Sequence, residues 1–166
     1  LRVCDIRAEA MAEMERLFGD RIRVVACPDA KDAVASADIV MLVTTSRKPI
    51  VRFDWLKKGA FVAGLYQFYD LDPACSRRAD KWVLGSKDTD KHQIVLNPLM
   101  AEHHLSMDDV YADLGEIVAG KVPGRTSDDE IIVYTHMGMG ALDVAVGDLA
   151  YRRAEARNVG TIIDLS

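Results

Sequence analysis

The sequence predicts an α/β fold, a parallel sheet flanked by helices, and three observations carry that prediction. Short apolar strands alternate with helical segments through the first two thirds of the chain. No hairpin turn joins neighbouring strands, so the connections read as βαβ crossovers. The run Ile39 to Val43 is continuously apolar, as expected of a strand buried on both faces.

The elements follow in order. Leu1 to Ile6 reads as a strand. Arg7 to Phe18 places Met11, Met14 and Phe18 on one helix face, and Gly19 ends it. Ile22 to Ala26 is a second strand, and Asp29 caps a short helix that turns Ala33 and Val34 inward. Ala60 to Leu65 and Trp82 to Leu84 are further strands. Ser106 with Asp109 resembles a capping box, predicting a helix with Val110, Leu114, Ile117 and Val118 on one face, stopping near Gly120. Lys121 to Asp129 is a loop and Glu130 to Tyr134 a strand. A long helix from Met139 to Arg157 keeps Leu142, Val146, Leu149 and Ala150 inward and ends at Asn158 and Gly160. Thr161 to Leu165 adds a last strand.

At 166 residues the chain fits one domain, or one domain with a docking segment. The net charge of -5 argues against a general nucleic-acid binder, which needs a basic face. The apolar runs are too short to span a bilayer. Cys4, Cys27 and Cys75, without CxxC spacing, read as reduced thiols of a cytoplasmic protein. The chain opens at Leu1 inside a strand, as an internal piece of something longer would.

Candidate site residues lie where strands end. Asp5 closes the first strand, where an acidic residue either caps the helix or accepts bonds from the ribose hydroxyls of a dinucleotide. Arg7 is either a solvated helix-start residue or a partner for a 2′-phosphate, so NAD and NADP both stay open, with Asp5 tilting towards NAD. Thr44, Thr45 and Ser46 end the Ile39 strand, either as turn chemistry leading to Pro49 or as hydroxyls lining a ligand crevice. His136 ends the Glu130 strand and could line the same crevice. Tyr66, Phe68 and Tyr69 are either packing or one wall of a substrate pocket. Gly138-Met139-Gly140 reads as a tight strand-to-helix turn, because Asp143 breaks the GxGxxG pattern. The sequence has neither a GxSxG elbow nor a GxxxxGK[ST] loop, and His103-His104 lack a third spaced ligand, so no metal is expected.

The run Gly115-Glu-Ile-Val-Ala-Gly-Lys-Val-Pro-Gly-Arg-Thr-Ser-Asp-Asp-Glu-Ile-Ile-Val-Tyr, followed by Gly138 and Asp143, resembles the ornithine cyclodeaminase/mu-crystallin family. Upstream, Ala37-Asp38-Ile39-Val40, Thr44-Thr45 with Pro49, and Trp55-Leu56-Lys57-Lys58-Gly59-Ala60 are similar to the family's series in the same order. The resemblance implies a Rossmann-type parallel sheet entered at its second strand and so incomplete at its N-terminal side. Residues 1–135 would form a partial NAD(P)-binding domain lacking the glycine-rich turn. Residues 136–166 would return towards a dimerisation and substrate domain.

The same resemblance implies hydride transfer at an amine-bearing carbon of an amino or imino acid, with NAD, or alternatively NADP, as cofactor. It places Asp5 at the ribose, Thr44 beside the cofactor, Leu65 in the segment passing the nicotinamide, and His136 with Met137 at nicotinamide and substrate. Family cyclodeaminases carry an Asp after "VG"; here Gly64-Leu65-Tyr66-Gln67-Phe68 puts Phe68 there, and the neighbouring Lys is missing. Asp70 is then either the N-cap of the next helix or a substitute acid–base group. A Phe in place of an acid predicts a larger or less polar substrate than ornithine. A homodimer, or a companion segment supplying the missing half, is expected. The alternative function is a non-catalytic nucleotide- or small-ligand-binding member, or an auxiliary subunit.

Overall fold

The computed structural model describes residues 1–65, 69–96, 101–138, 140–161 and 163. In chain order they form β1 (Arg2–Val3), α1 (Ala8–Phe18), β2 (Val25–Ala26), α2 (Ala30–Val34), β3 (Ile39–Leu42) and a 3-10 turn at Phe53–Trp55. There follow β4 (Phe61–Gly64), α3 (Pro73–Arg78), β5 (Lys81–Leu84), α4 (Lys87–Leu96) and a second 3-10 turn at Met107–Asp109. The chain continues through β6 (Ala112–Asp113), α5 (Leu114–Val118), β7 (Ile132–Thr135) and α6 (Gly140–Ala156).

All strand pairs are parallel, as the absence of hairpin turns predicts. β1 and β2 form a two-stranded sheet, and the other five strands form a sheet in the order β3-β4-β7-β5-β6. The last long strand in sequence therefore lies at the centre, between β4 and β5. On one face Val40, Leu42, Val62, Val133, Trp82 and Leu84 pack against Val34 of α2, Cys75 of α3 and the loop residues Val51, Leu71 and Leu105. Each large apolar side chain removed from water there contributes roughly 1.5–3 kcal/mol. Trp82 is also satisfied as a donor, its Nε1 bonding the buried Thr135 Oγ1 at 2.8 Å.

α1 turns Met11, Met14 and Phe18 to its half-buried side, the face predicted by their spacing. α2 begins at Asp29, whose side chain accepts from Asp32 N at 2.8 Å. Gly59 sits at φ +76°, where a Cβ would meet the Asp128 carbonyl at 2.3 Å, so this turn requires glycine.

Several expectations need correction. β3 is buried on one face only: Ile39 and Met41 are 65% and 63% exposed, because no described element covers the second face at this edge of the sheet. The helix expected across Val110 to Val118 is broken. Ser106 and Asp109 do make reciprocal bonds, but they cap the 3-10 turn, and Val110 is extended. Tyr111 N bonds Trp82 O at 2.8 Å and Ala112–Asp113 pairs with β5, so sheet pairing takes the residues that helical spacing assigned to a helix. Leu142, Val146 and Leu149 of α6 are exposed, not inward, since no described element packs on that helix. The polar helix α4 carries no apolar period and was not expected. Tyr66, Phe68, Met139 and most of the strand expected at 161–165 fall outside the described residues.

Candidate functional site

The carboxyl ends of β3, β4, β7 and β5 lie side by side along one edge of the sheet, and the loops leaving them carry most of the candidate residues. In open parallel sheets this edge is where ligands bind.

At β3, Thr44 Oγ1 donates to Asp70 Oδ2 at 2.9 Å and accepts from Ser46 N at 3.2 Å. Ser46 Oγ in turn binds both Lys48 O and Lys48 N, so this segment does carry turn chemistry. Thr45 is exposed and makes no such bond among the described residues. Asp70 is fully buried, and Oδ1 has no partner among the described residues. Burial pushes its carboxyl above the ordinary value against the opposing effect of the Thr44 bond, so protonation is made easier. Asp70 is not the N-cap of the next helix: Asp72 caps α3, accepting from Ala74 N at 2.8 Å. Asp70 instead anchors its strap through its carbonyl, which accepts from Ile50 N at 2.8 Å.

At β4, Leu65 continues the ladder by donating to Leu42 O, and Gly64 O accepts from His136 N at 3.0 Å. The Leu65 side chain joins Met41, Phe61, Ala63, Ile132 and Tyr134 around an apolar cleft of about 360 Å³ on the second face of the sheet. At β7, Thr135 is buried beside Trp82, while His136 is half-buried with its ring stacked near Tyr134. Met137 is half-buried against the core.

At β5 the structure shows a residue the sequence reading missed. Asp90, on the first turn of α4, is fully buried and its Oδ2 accepts from Gly85 N at 3.1 Å and Ser86 N at 3.2 Å. The same oxygen lies 3.8 Å from His136 Nδ1. The available signal was a Gly-Ser pair directly after a strand with an acid four residues beyond Ser86, a pattern for backbone capping rather than apolar periodicity.

Asp5 and Arg7 stand apart from this group, on the loop that leads from β1 of the two-stranded sheet into α1. Asp5 Oδ1 accepts from Arg7 N at 2.8 Å and lies 3.7 Å from the Arg7 guanidinium. Asp5 Oδ2 has no partner among the described residues, and the carboxylate is exposed. Cys75, by contrast, is excluded as a nucleophile: burial, reinforced by the Asp72 charge, pushes its thiol up to about 12. No group of three or more His, Cys, Asp or Glu among the described residues could hold a metal ion. Nor is any helix long and apolar enough to cross a membrane.

Residues 1–158 match the model of the ornithine cyclodeaminase/mu-crystallin family. The chain belongs to this family. It is 33% identical over 87% of its length to N-((2S)-2-amino-2-carboxyethyl)-L-glutamate dehydrogenase of Staphylococcus aureus, of which it covers 43%. Its fold superposes on Thermococcus litoralis Delta(1)-pyrroline-2-carboxylate reductase, solved with NADH and L-proline, with a TM-score of 0.84 at 28% identity; 98% of this chain and 52% of that one are covered. An archaeal alanine dehydrogenase dimer with bound NAD gives 0.82 at 30% identity, covering 99% of this chain and 52% of that one. The chain spans about half the length of the curated relatives it matches. The family's Rossmann-like parallel sheet is thus the fold of this member.

Proposed function

We propose that the native protein carrying this chain is an NAD-dependent oxidoreductase acting on an amino or imino acid at its amine-bearing carbon. The observation that carries the proposal is the placement of Thr44, Asp70, Leu65 and His136 on one strand-end edge of a family fold. Relatives named as dehydrogenases and reductases of amino and imino acids, two of them solved with NADH or NAD, support it.

The residues present fit a dinucleotide, with Asp5 after β1 for its ribose end and the strand-end edge of the larger sheet for its nicotinamide end. Asp5 offers an exposed carboxylate with a free oxygen, the acceptor that a pair of ribose hydroxyls needs. A 2′-phosphate would meet that carboxylate as a like charge, which favours NAD over NADP. Thr44 and Thr45 would flank the cofactor, and Leu65, His136 and Met137 its nicotinamide end. When bound, the cofactor supplies or accepts the hydride.

This chain's own residues hold protons and exclude water. Asp70 is buried, inclined to protonation and already bonded to a hydroxyl at the crevice edge, so it can exchange a proton through Thr44 Oγ1. Phe68, which the resemblance sets where an acid is expected, would offer the substrate an apolar side chain in place of a carboxylate. The exposed apolar residues of α6, Val144 at 74% and Tyr151 at 66% among them, suit a helix that packs on the second domain of a homodimer. The unpaired cysteines suit a cytoplasmic setting.

A panel of amino acids offered to the native protein with NAD tests this reading. NADH formation with an amino acid larger or less polar than ornithine is expected. Formation of none across the panel, with reduction of no cyclic imine by NADH, would leave the binding-protein alternative. Ornithine as the best substrate would remove the role given to Phe68.

A further inference from the structure

Three facts at the β5 and β7 strand ends belong together. Asp90 is fully buried, with Oδ1 unbonded, and His136 Nδ1 is buried and likewise without a hydrogen-bond partner among the described residues. The two side chains face each other, Nδ1 lying 3.8 Å from Oδ2. Third, the His136 ring occupies the space of a missing side chain: a Cβ on Gly85 would lie 1.9 Å from Nδ1 and 2.6 Å from Cγ. The backbone is thus shaped to let the imidazole in against the carboxylate.

A buried carboxylate is stable when donors surround it, and Gly85 N and Ser86 N supply two for one of its oxygens. The remaining acceptor capacity has the imidazole as its neighbour. Although 3.8 Å exceeds a hydrogen bond, such contacts tighten in the ligand-bound state. Nδ1 is buried, yet the His136 side chain keeps 14% of its surface exposed, so the ring meets solvent by another edge.

We propose that Asp90 is a positioning residue that holds a proton on His136 Nδ1 and thereby leaves Nε2 as the free nitrogen facing the strand-end crevice. Resting on the proposed reaction, His136 then exchanges one proton between Nε2 and the substrate nitrogen while Nδ1 keeps its own proton against Asp90. Only the tautomer with Nδ1–H leaves a lone pair on Nε2 to take that proton. Asp90 needs no contact with substrate for this role.

Nitrogen-15 NMR of the imidazoles, at a pH where the ring is neutral, tests the proposal in the native protein. The chain has four histidines, and His136→Gln identifies the relevant signal. The expected signature is a protonated Nδ1 and bare Nε2, converting to a tautomer mixture in Asp90→Asn. In the same variant kcat is expected to fall about tenfold or more, with NADH affinity within twofold of the parent. A protonated Nε2 in the parent overturns the proposal, as does an unchanged tautomer in Asp90→Asn. The parent spectrum decides the matter even if the variant does not fold. Failure of the native protein to bind NADH would remove the proposed reaction and leave the tautomer result standing.

Discussion

Buried charge is placed at both ends of the sheet, and its partners differ in kind. At the amino ends of the strands Lys81 is 7% exposed and donates to Gly124 O at 2.6 Å and to Glu130 at 2.9 Å. Glu130 also accepts from Thr126 Oγ1 and Thr126 N, so every charge is met. Those bonds, the Thr126 hydroxyl first and Lys81 second, hold the Glu130 carboxyl at about 2 against an ordinary 4.5. A depressed carboxylate contributes stability that is complete above the unfolded value and is lost as pH falls through the folded one. The melting temperature of the native protein is therefore expected to fall between pH 4.5 and about 2. Glu130→Gln should start lower and respond less to acid over that window; parallel curves would show that Glu130 makes no such contribution. At the carboxyl ends, Asp70 and Asp90 each keep an oxygen without a partner among the described residues, which supports that edge as the place for the proposed chemistry.

α1, β4, β5, β7 and the Asp29-capped α2 were legible in the sequence, whereas β6 and α4, set by long-range pairing and long-range polar bonds, were not. The Met11, Met14 and Phe18 face of α1 was read from spacing alone, as were β4, β5 and β7. β6 was hidden because its two residues become a strand only by pairing with β5, a contact no local period records. α4 was hidden because polar bonds set its start: Lys87 N donates to Asp113 Oδ1 at 2.6 Å, and Asp90 reaches back to Gly85 and Ser86. Of the candidate site, Thr44, Leu65 and His136 could be placed at strand ends from sequence. The Asp70 bond to Thr44 and the Asp90 approach to His136 join residues 26 and 46 positions apart, and only the fold brings them together. Gly85→Ala places a methyl carbon where the His136 ring lies, and overpacking of this kind costs about 1–3 kcal/mol. The melting temperature should drop by several degrees, as calorimetry would show. An unchanged value would mean that the ring moves aside freely and is not held in the observed place.

Across the whole molecule, the clasp of Lys81, Arg125 and Glu130 and the candidate site sit at opposite ends of the sheet. In the family-like segment from Gly115 to Tyr134, Glu116 accepts from Asp113 N and Lys87 Nζ at the carboxyl end of β6, while Gly124, Arg125, Thr126 and Glu130 build the amino-end clasp. Arg125 bonds Gly59 O and Glu130 O there, and Lys81 bonds Gly124 O. These bonds tie the loop before β7 to β5 and to the turn before β4. The residues proposed for chemistry lie instead on the strand-end loops. The second face of the sheet and the length of α6 leave apolar surface exposed, in keeping with a chain that spans half of its relatives' length. Under the proposed function, this chain carries the ribose and nicotinamide contacts of an NAD site. Calorimetric titration of the native protein with NADH, beside Asp5→Ala, tests it most directly. Saturable binding at one site per chain is predicted, weakened roughly tenfold or more by the substitution, the size of a lost charge-assisted hydrogen bond. Equal affinity in the two proteins, or no binding in either, would contradict the account.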